Sequence, residues 1–305
     1  MFKNILSWRI FSGPIKVSKK IVLPGFDGLP LYDVARFFVK GLWEGYITSR
    51  ASSISFNFFL AIFPSLIFIF TIIPFIPIEN FQQTLLGMIN DLVPSSSYEA
   101  IRATVEDIVT RPRGGLLSIG FLLALYFSTT GIHSMMEGFN STFHSIETRS
   151  WIKQRLISTI IVLIISVLLI ISIGLMTFGS VVLTIILPKQ LWNSSIYAAF
   201  IWCLKWLVII VTLFFTISFV YYLAPAKKRH FRFISAGSSL ATILVILTTL
   251  GFNFYVDNFA RYNILYGSIG TLMIVLLWIY FNSFSLLIGF ELNASILRAK
   301  LGGEI

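Results

Sequence analysis

Apolar residues in this chain do not recur at helical or strand spacing for most of its length. They run on continuously. Crossing a ~30 Å hydrocarbon core takes about 20 such residues at ~1.5 Å of helical rise each. Six runs meet that length, at residues 51–74, 115–132, 156–187, 196–223, 233–256 and 266–290. Backbone polar groups in lipid must be satisfied within the segment, so runs of this length read as transmembrane helices. The second run ends in Ser128, Thr129 and Thr130 and can continue as helix to about residue 143. The third is about 48 Å long as one helix. It therefore tilts, protrudes, or splits at Gly174 or Gly179.

The pattern changes on either side of the first run. Over residues 31–50, Leu31, Val34, Phe38, Leu42 and Tyr46 share one helical face, with Arg36, Lys40 and Glu44 elsewhere on the turn. This predicts an amphipathic helix, lying in the cytoplasmic interface or packed under the bundle. Residues 76–114 carry five of the thirteen acids. Ser96 and Glu99 have capping-box spacing after Pro94, and Ile101, Val105 and Ile108 mark one face of a following helix. Two short helices are expected there, capping the outer mouth. The organisation is a cytoplasmic N-terminal region at 1–50, a six-helix domain at 51–294 and a tail at 295–305. There is no internal repeat or low-complexity tract. No uninterrupted apolar stretch precedes Pro24, so the N-terminus does not read as a signal peptide.

Composition agrees with a membrane solvent. The 305 residues are 56% hydrophobic and 12% charged, against about 25% charged in soluble domains. The net charge of +10 would suggest nucleic acid in a soluble protein. Here its distribution suggests topology instead. With the N-terminus inside, seventeen Lys and Arg fall in cytoplasmic segments and five in outer loops, with Lys205 left inside a span. That asymmetry predicts both ends in the cytoplasm. Cys203 is the one cysteine, so no internal disulfide can form.

Motifs for chemistry are missing. There is no Gly-x4-Gly-Lys-Ser/Thr, no His-Glu-x-x-His and no Gly-x-Ser-x-Gly, and no cofactor or metal is implied. The three histidines are scattered and no two acids sit at metal-ligand spacing in one span. An enzyme is not expected. The informative residues are polar ones in apolar runs, which are functional candidates by default. Lys205, between Trp202 and Trp206, either lines a pathway for an anionic headgroup or snorkels to the outer interface. His133 and Glu137 share a helical face and either line a pathway or cap a solvated helix end. Glu291 closes the sixth run, where an interfacial anchor or partner for a loop Arg fits better than catalysis. Asn57 and Asn282 either hydrogen-bond neighbouring helices or line a pathway. Ser128 and Asn140 complete the candidate pathway. Pro64 should kink the first span, and Gly267 and Gly270 are candidate gating positions.

Four blocks of the chain resemble the YihY/BrkB family of bacterial inner-membrane proteins, once labelled ribonuclease BN. They are Ala51-Ser-Ser-Ile-Ser-Phe-Asn-Phe-Phe-Leu-Ala-Ile-Phe-Pro64, Leu-Tyr-Phe-Ser128-Thr-Thr-Gly131 leading to Gly138-Phe-Asn140, and Tyr222-Leu-Ala-Pro225 before basic residues. The last and most specific is Tyr266-Gly-Ser-Ile-Gly270, Leu277-Trp278-Ile-Tyr280 and Gly289-Phe-Glu291-Leu-Asn293-Ala294. Ser52 and Ser53 stand where the family has alanines, and Phe290 where it has a small residue. The resemblance covers about residues 30–300. It implies six spans in the inner membrane, and its members' links to serum resistance and envelope lipids suggest transport of an amphiphile.

The expectation is therefore an all-α, multi-pass integral membrane protein of the bacterial inner membrane, with six transmembrane helices. It would be a transporter or flippase-like protein for an anionic envelope lipid or other amphiphile, with no ATP motif of its own. Membrane lipids, anionic ones first, are the expected partners, with no nucleic acid; a homo-oligomer or an envelope partner stays open. The alternatives are a secondary transporter of a small solute and an envelope assembly protein that transports nothing.

Overall fold

The computed structural model describes residues 18–19, 21–75, 111–141, 150–186, 195–226, 233–259 and 268–301. Among these, seven α-helices and no strands are present: α1 (Leu31–Glu44), α2 (Ile47–Ile72), α3 (Gly114–Asn140), α4 (Trp151–Ile186), α5 (Ser195–Leu223), α6 (Ala236–Phe259) and α7 (Ser268–Lys300). Six of them, α2 to α7, contain a stretch long and apolar enough to cross a membrane. The protein is thus an all-helical membrane protein. The helices expected within 76–114, the basic residues Lys227, Lys228, Arg229 and Arg232, and Gly267 lie outside the described residues, apart from 111–114.

Helix boundaries differ from the sequence reading in instructive places. The amphipathic helix stops at Glu44, not Arg50. The Gly45 N–H donates to the Gly41 carbonyl at 2.9 Å, and Tyr46 turns the chain at φ +48. Arg50 therefore rides on the first spanning helix. The second span does continue past Ser128 to Asn140. Helix α4 runs unbroken through Gly174 and Gly179, about 54 Å in all. The sixth span does not end at Phe290. Helix α7 continues ten residues to Lys300, and residues 291–297 of that extension are all buried.

The chain divides into two compact units, residues 56–131 and the remainder. In the 56–131 unit, α2 and α3 approach closely at glycines. A Cβ on Gly120 would lie 3.3 Å from the Phe68 backbone, and one on Gly131 3.1 Å from the Phe58 ring. Phe68 and Phe121 meet at 5.5 Å between ring centroids. Pro64 is buried in this unit, and Asn57 and Ser128 are half-buried.

The larger unit is organised around α7, which packs on α6 and on α1, while α5 packs on α4 and α6. Helix α1 explains the end of α7. Its Val34 is buried with Phe26, Leu292 and Ile296, so α1 covers the last turns of α7 instead of leaving them to solvent. The loop before α1 closes the same corner. It turns through Gly25 and Gly28 at φ +87 and +80, conformations that glycine adopts at no steric cost. Asp27 then meets Lys300 at 3.1 Å. The other side of α1 leaves Trp43 and, at its end, Tyr46 about four-fifths exposed. Amphipathic aromatics at such a position suit a membrane interface.

Candidate functional site

Helix α6 begins with a reciprocal cap. The Ser235 hydroxyl accepts from the Ser238 N–H at 3.1 Å, and the Ser238 hydroxyl accepts from the Ser235 N–H at 3.1 Å. This is capping-box logic with serine in both places. The next N–H of the first turn, on Gly237, has no partner within its own helix. Asn293 on α7 supplies one: its Oδ1 accepts from Gly237 N at 2.8 Å while its Nδ2 donates to the Ser235 hydroxyl at 2.8 Å. One amide therefore fastens α7 to the first turn of α6. Asn293→Ala leaves the buried Gly237 N–H without its acceptor, and unfolding in mild detergent should then need about 1–3 kcal/mol less. An unchanged midpoint would mean that another acceptor moves in.

Two residues earlier on α7 lies a buried charge. Glu291 has 3% of its side chain exposed and Arg50, on α2, 11%, with Oε2 and Nη2 3.8 Å apart. The guanidinium also donates from Nη1 to the Gly138 carbonyl of α3 at 2.7 Å. Gly41 on α1 makes room for the carboxylate, since a Cβ there would collide with Glu291 Oε1 and sit 2.6 Å from its Cδ. Four helices thus meet at one ion pair. Beside it, Phe139 of α3 stacks on Phe290 at 4.2 Å, and Tyr221 of α5 meets both rings edge-on at 5.4 and 5.5 Å. The Tyr221 hydroxyl donates to the Leu286 carbonyl. Phe290 is the centre of this aromatic layer.

The candidate residues separate into groups. Glu291 and Asn140 belong to the layer just described; Asn140 Oδ1 accepts from Ala226 N at 3.1 Å and ties the end of α5 to α3. His133 and Glu137 pair at 3.3 Å on the surface of α3, with Glu137 64% exposed. Asn282 lies about 14 Å along α7 from Glu291, where its Oδ1 accepts from Thr249 at 3.3 Å and its Nδ2 donates to the Trp278 carbonyl at 2.8 Å. Gly270, nearer the start of α7, is buried. Lys205 is exposed on α5, about 24 Å along that helix from Tyr221. The crevice beside Lys205, against Met176 and Leu204, holds about 10 Å³, enough for about one water. Among the described residues, no three His, Cys, Asp or Glu side chains come close enough to hold a metal ion.

Arg50, Gly41, Ser235, Gly237, Tyr221 and Asn293 were not among the residues expected to form a site. Arg50 had been counted with the cytoplasmic cations. Its available signal was its place one residue before the first apolar run, with Glu291 at the end of the sixth in need of a partner.

Two clefts flank α6. One, of about 270 Å³, lies against α5 and is lined by Ile210, Val211, Phe214, Phe215, Ser239, Thr242 and Ile243. The other, of about 200 Å³, lies against α7 and is lined by Phe252, Asn253, Val256, Ile274, Val275 and Trp278. The first presents almost wholly apolar surface and the second apolar surface with a few polar groups; both fall below the usual ligand-site range of about 300–1,000 Å³.

Comparison with known proteins places the chain among membrane proteins. The family described as "Virulence factor BrkB" matches residues 38–304. The "Putative ribonuclease-like protein YfkH" of Bacillus subtilis is 29% identical over 268 residues, covering 86% of this chain and 96% of that protein. A "UPF0761 membrane protein" of Vibrio campbellii is 23% identical over 262 residues, 86% of this chain and 81% of its own. One of Xanthomonas campestris pv. campestris (strain 8004) is 26% identical over 269 residues, 85% of this chain and 60% of its own. No solved structure matches the chain.

Proposed function

The chain belongs to the virulence factor BrkB family of membrane proteins, and on that footing we propose that it moves an anionic envelope lipid or similar amphiphile across the bacterial inner membrane. The observation that carries this reading is the α5–α6 cleft. It is a bay of about 270 Å³ walled by Ile210, Val211, Phe214, Phe215 and Ile243, with Ser239 and Thr242 on its α6 side, their hydroxyls bonded back to the Ser235 and Ser238 carbonyls. Ile210, Val211, Phe215 and Ile243 are also exposed at the surface, so the bay opens sideways, toward the acyl chains of a surrounding bilayer. A small polar solute gains nothing from such walls, whereas an acyl chain does. The excess of Lys and Arg in the segments assigned to the cytoplasm supports an N-in, C-in orientation and gives anionic headgroups a cationic rim to collect at. Without a nucleotide-binding motif, any driving force would come from a lipid gradient or from a partner.

Reconstitution tests this. In vesicles of phosphatidylethanolamine and phosphatidylglycerol carrying a trace of fluorescent phosphatidylglycerol, the protein should make inner-leaflet probe accessible to an external quencher. Ser239→Trp fills the bay from an exposed helical position and should slow that exchange roughly tenfold, a barrier change of about 1.4 kcal/mol. Circular dichroism should be unchanged. Wild-type vesicles that exchange lipid no faster than protein-free ones would overturn the reading; stabilisation by a soluble compound would then favour a small-solute transporter.

A further inference from the structure

Asn253 places a primary amide on the exposed side of α6, within a span whose mean hydropathy is 1.8. It makes no hydrogen bond among the described residues. A primary amide in apolar surroundings is costly without a partner, and this one, with none among the described residues, lines the α6–α7 cleft of about 200 Å³ with Phe252, Val256, Ile274, Val275 and Trp278. Donors outnumber acceptors among the polar side chains of the cleft. Asn253 brings two amide N–H groups and one carbonyl oxygen, and Trp278 an indole N–H that can only donate. Among the described residues, no acid and no base lines it. A group that only accepts, as a phosphodiester does, can take all three of these donors at once.

The surroundings suit the rest of a lipid. Leu250, Phe254, Leu272 and Met273 are exposed on α6 and α7 around the cleft. Along α6, Asn253 lies about 26 Å from Ala236. That is close to the full hydrocarbon thickness, which sets Asn253 near the membrane face opposite the Ser235–Asn293 cap. One turn further in, Thr249 bonds Asn282 at 3.3 Å, and next to it Thr248 bonds Ser285 at 3.0 Å. The amide is thus the outermost step of a polar seam between two helices. We infer that the α6–α7 cleft at Asn253 binds the phosphodiester headgroup of a membrane glycerophospholipid, with an acyl chain lying along the exposed apolar side chains beside it. This rests on the lipid-handling reading above and adds to it a place where the headgroup is held.

The test separates the two. The full chain is reconstituted in phosphatidylethanolamine and phosphatidylglycerol vesicles with a trace of phosphatidylglycerol bearing a photoreactive group next to the phosphate, and cross-linked peptides are mapped. Labelling should concentrate on the segments 252–256 and 274–278. It should fall about fivefold in Asn253→Leu, the loss of one or two hydrogen bonds, and be retained in Asn253→Gln. Unchanged circular dichroism and melting in all three proteins would show that the fold is intact. Equal labelling in Asn253→Leu, or labelling spread evenly over all spans, overturns the headgroup site even if lipid exchange persists. Site-specific labelling without lipid exchange in the wild type upholds the site and removes the transport reading. Cross-linking of two protein copies through these segments overturns the inference in favour of a helix-packing surface.

Discussion

Glu291→Gln should destabilise the protein by about 3–5 kcal/mol, the usual result of removing one partner from a buried ion pair. The amide keeps the carboxylate's shape, so the space Gly41 leaves for it stays filled and the loss is electrostatic. What remains is the Arg50 guanidinium, 11% exposed, with the Gly138 carbonyl still accepting from it at 2.7 Å but its counter-charge gone. Desolvation of that cation is then uncompensated. The control is the double variant Arg50→Met with Glu291→Leu. Replacing both charges by apolar groups of similar bulk is often neutral or stabilising, so it should regain most of the lost stability. Thermal unfolding in mild detergent of the wild type, Arg50→Met, Glu291→Leu and the double variant of those two measures the coupling directly. If Glu291→Gln melts with the wild type, the pair is loose enough for lipid headgroups or water to replace the carboxylate, and α7 is not held at this point. If the double variant is as unstable as the single one, packing around Phe290 and Gly41 matters more than charge.

That pair also shows where sequence reading stops. The spans were legible because hydrocarbon thickness and helical rise together set a length that few other structures demand. The end of α7 was not. Glu291 and Asn293 interrupt the apolar run, and a polar residue after such a run reads as the membrane surface. In the structure both are buried and answered, Glu291 by Arg50 and Asn293 by the first turn of α6. Helix α7 therefore continues under cover of α1 instead of emerging. Periodicity records how one helix faces its surroundings and carries nothing about a partner far away in sequence. Arg50 reads only as a topological cation for the same reason: charge counting treats every cation near a span that way, and it is the turn at Gly45 and Tyr46 that sets this one in the first turn of a spanning helix, where it meets Glu291.

The polar residues picked out singly fare differently according to their neighbours. Asn282 and Asn140 each complete a hydrogen bond between helices. Lys205 sits on an exposed face beside Trp202, and the crevice next to it has room for about one water. An ionisable residue in a span is costly only if its charge stays in the hydrocarbon, and a long lysine stem near a helix end can carry its ammonium out. Asn253 is too short to do so. Its amide must find an acceptor where it stands, which is why a residue that drew no notice in the sequence becomes informative once the cleft beside it is known.

Gly237→Ala and Gly289→Ala should each destabilise the bundle by about 1–3 kcal/mol or more, whereas Gly251→Ala, on the same α6, should be neutral or stabilise by up to about 1 kcal/mol. The difference lies in what an added methyl meets. At Gly289 it would sit 2.6 Å from Ala241 Cβ, 2.6 Å from the Gly237 carbonyl oxygen and 2.8 Å from the Tyr221 hydroxyl. At Gly237 it would collide with the Gly289 carbonyl oxygen and lie 2.5 Å from Asn293 Cγ and Oδ1. At Gly251 nothing lies within 4 Å. The carbonyls belong to helix backbone and cannot swing aside as a long side chain would, so α6 and α7 must move apart. That separation also stretches the Asn293 amide from Gly237 and Ser235, bonds that depend on close approach. Because both methyls force the same separation, the Gly237→Ala, Gly289→Ala double variant should lose less than the two single losses added together. Melting midpoints in one detergent decide it. Equal shifts for Gly237→Ala and Gly251→Ala would mean that the helices are not in contact at these glycines, and a strictly additive double variant would mean that the two do not share a contact.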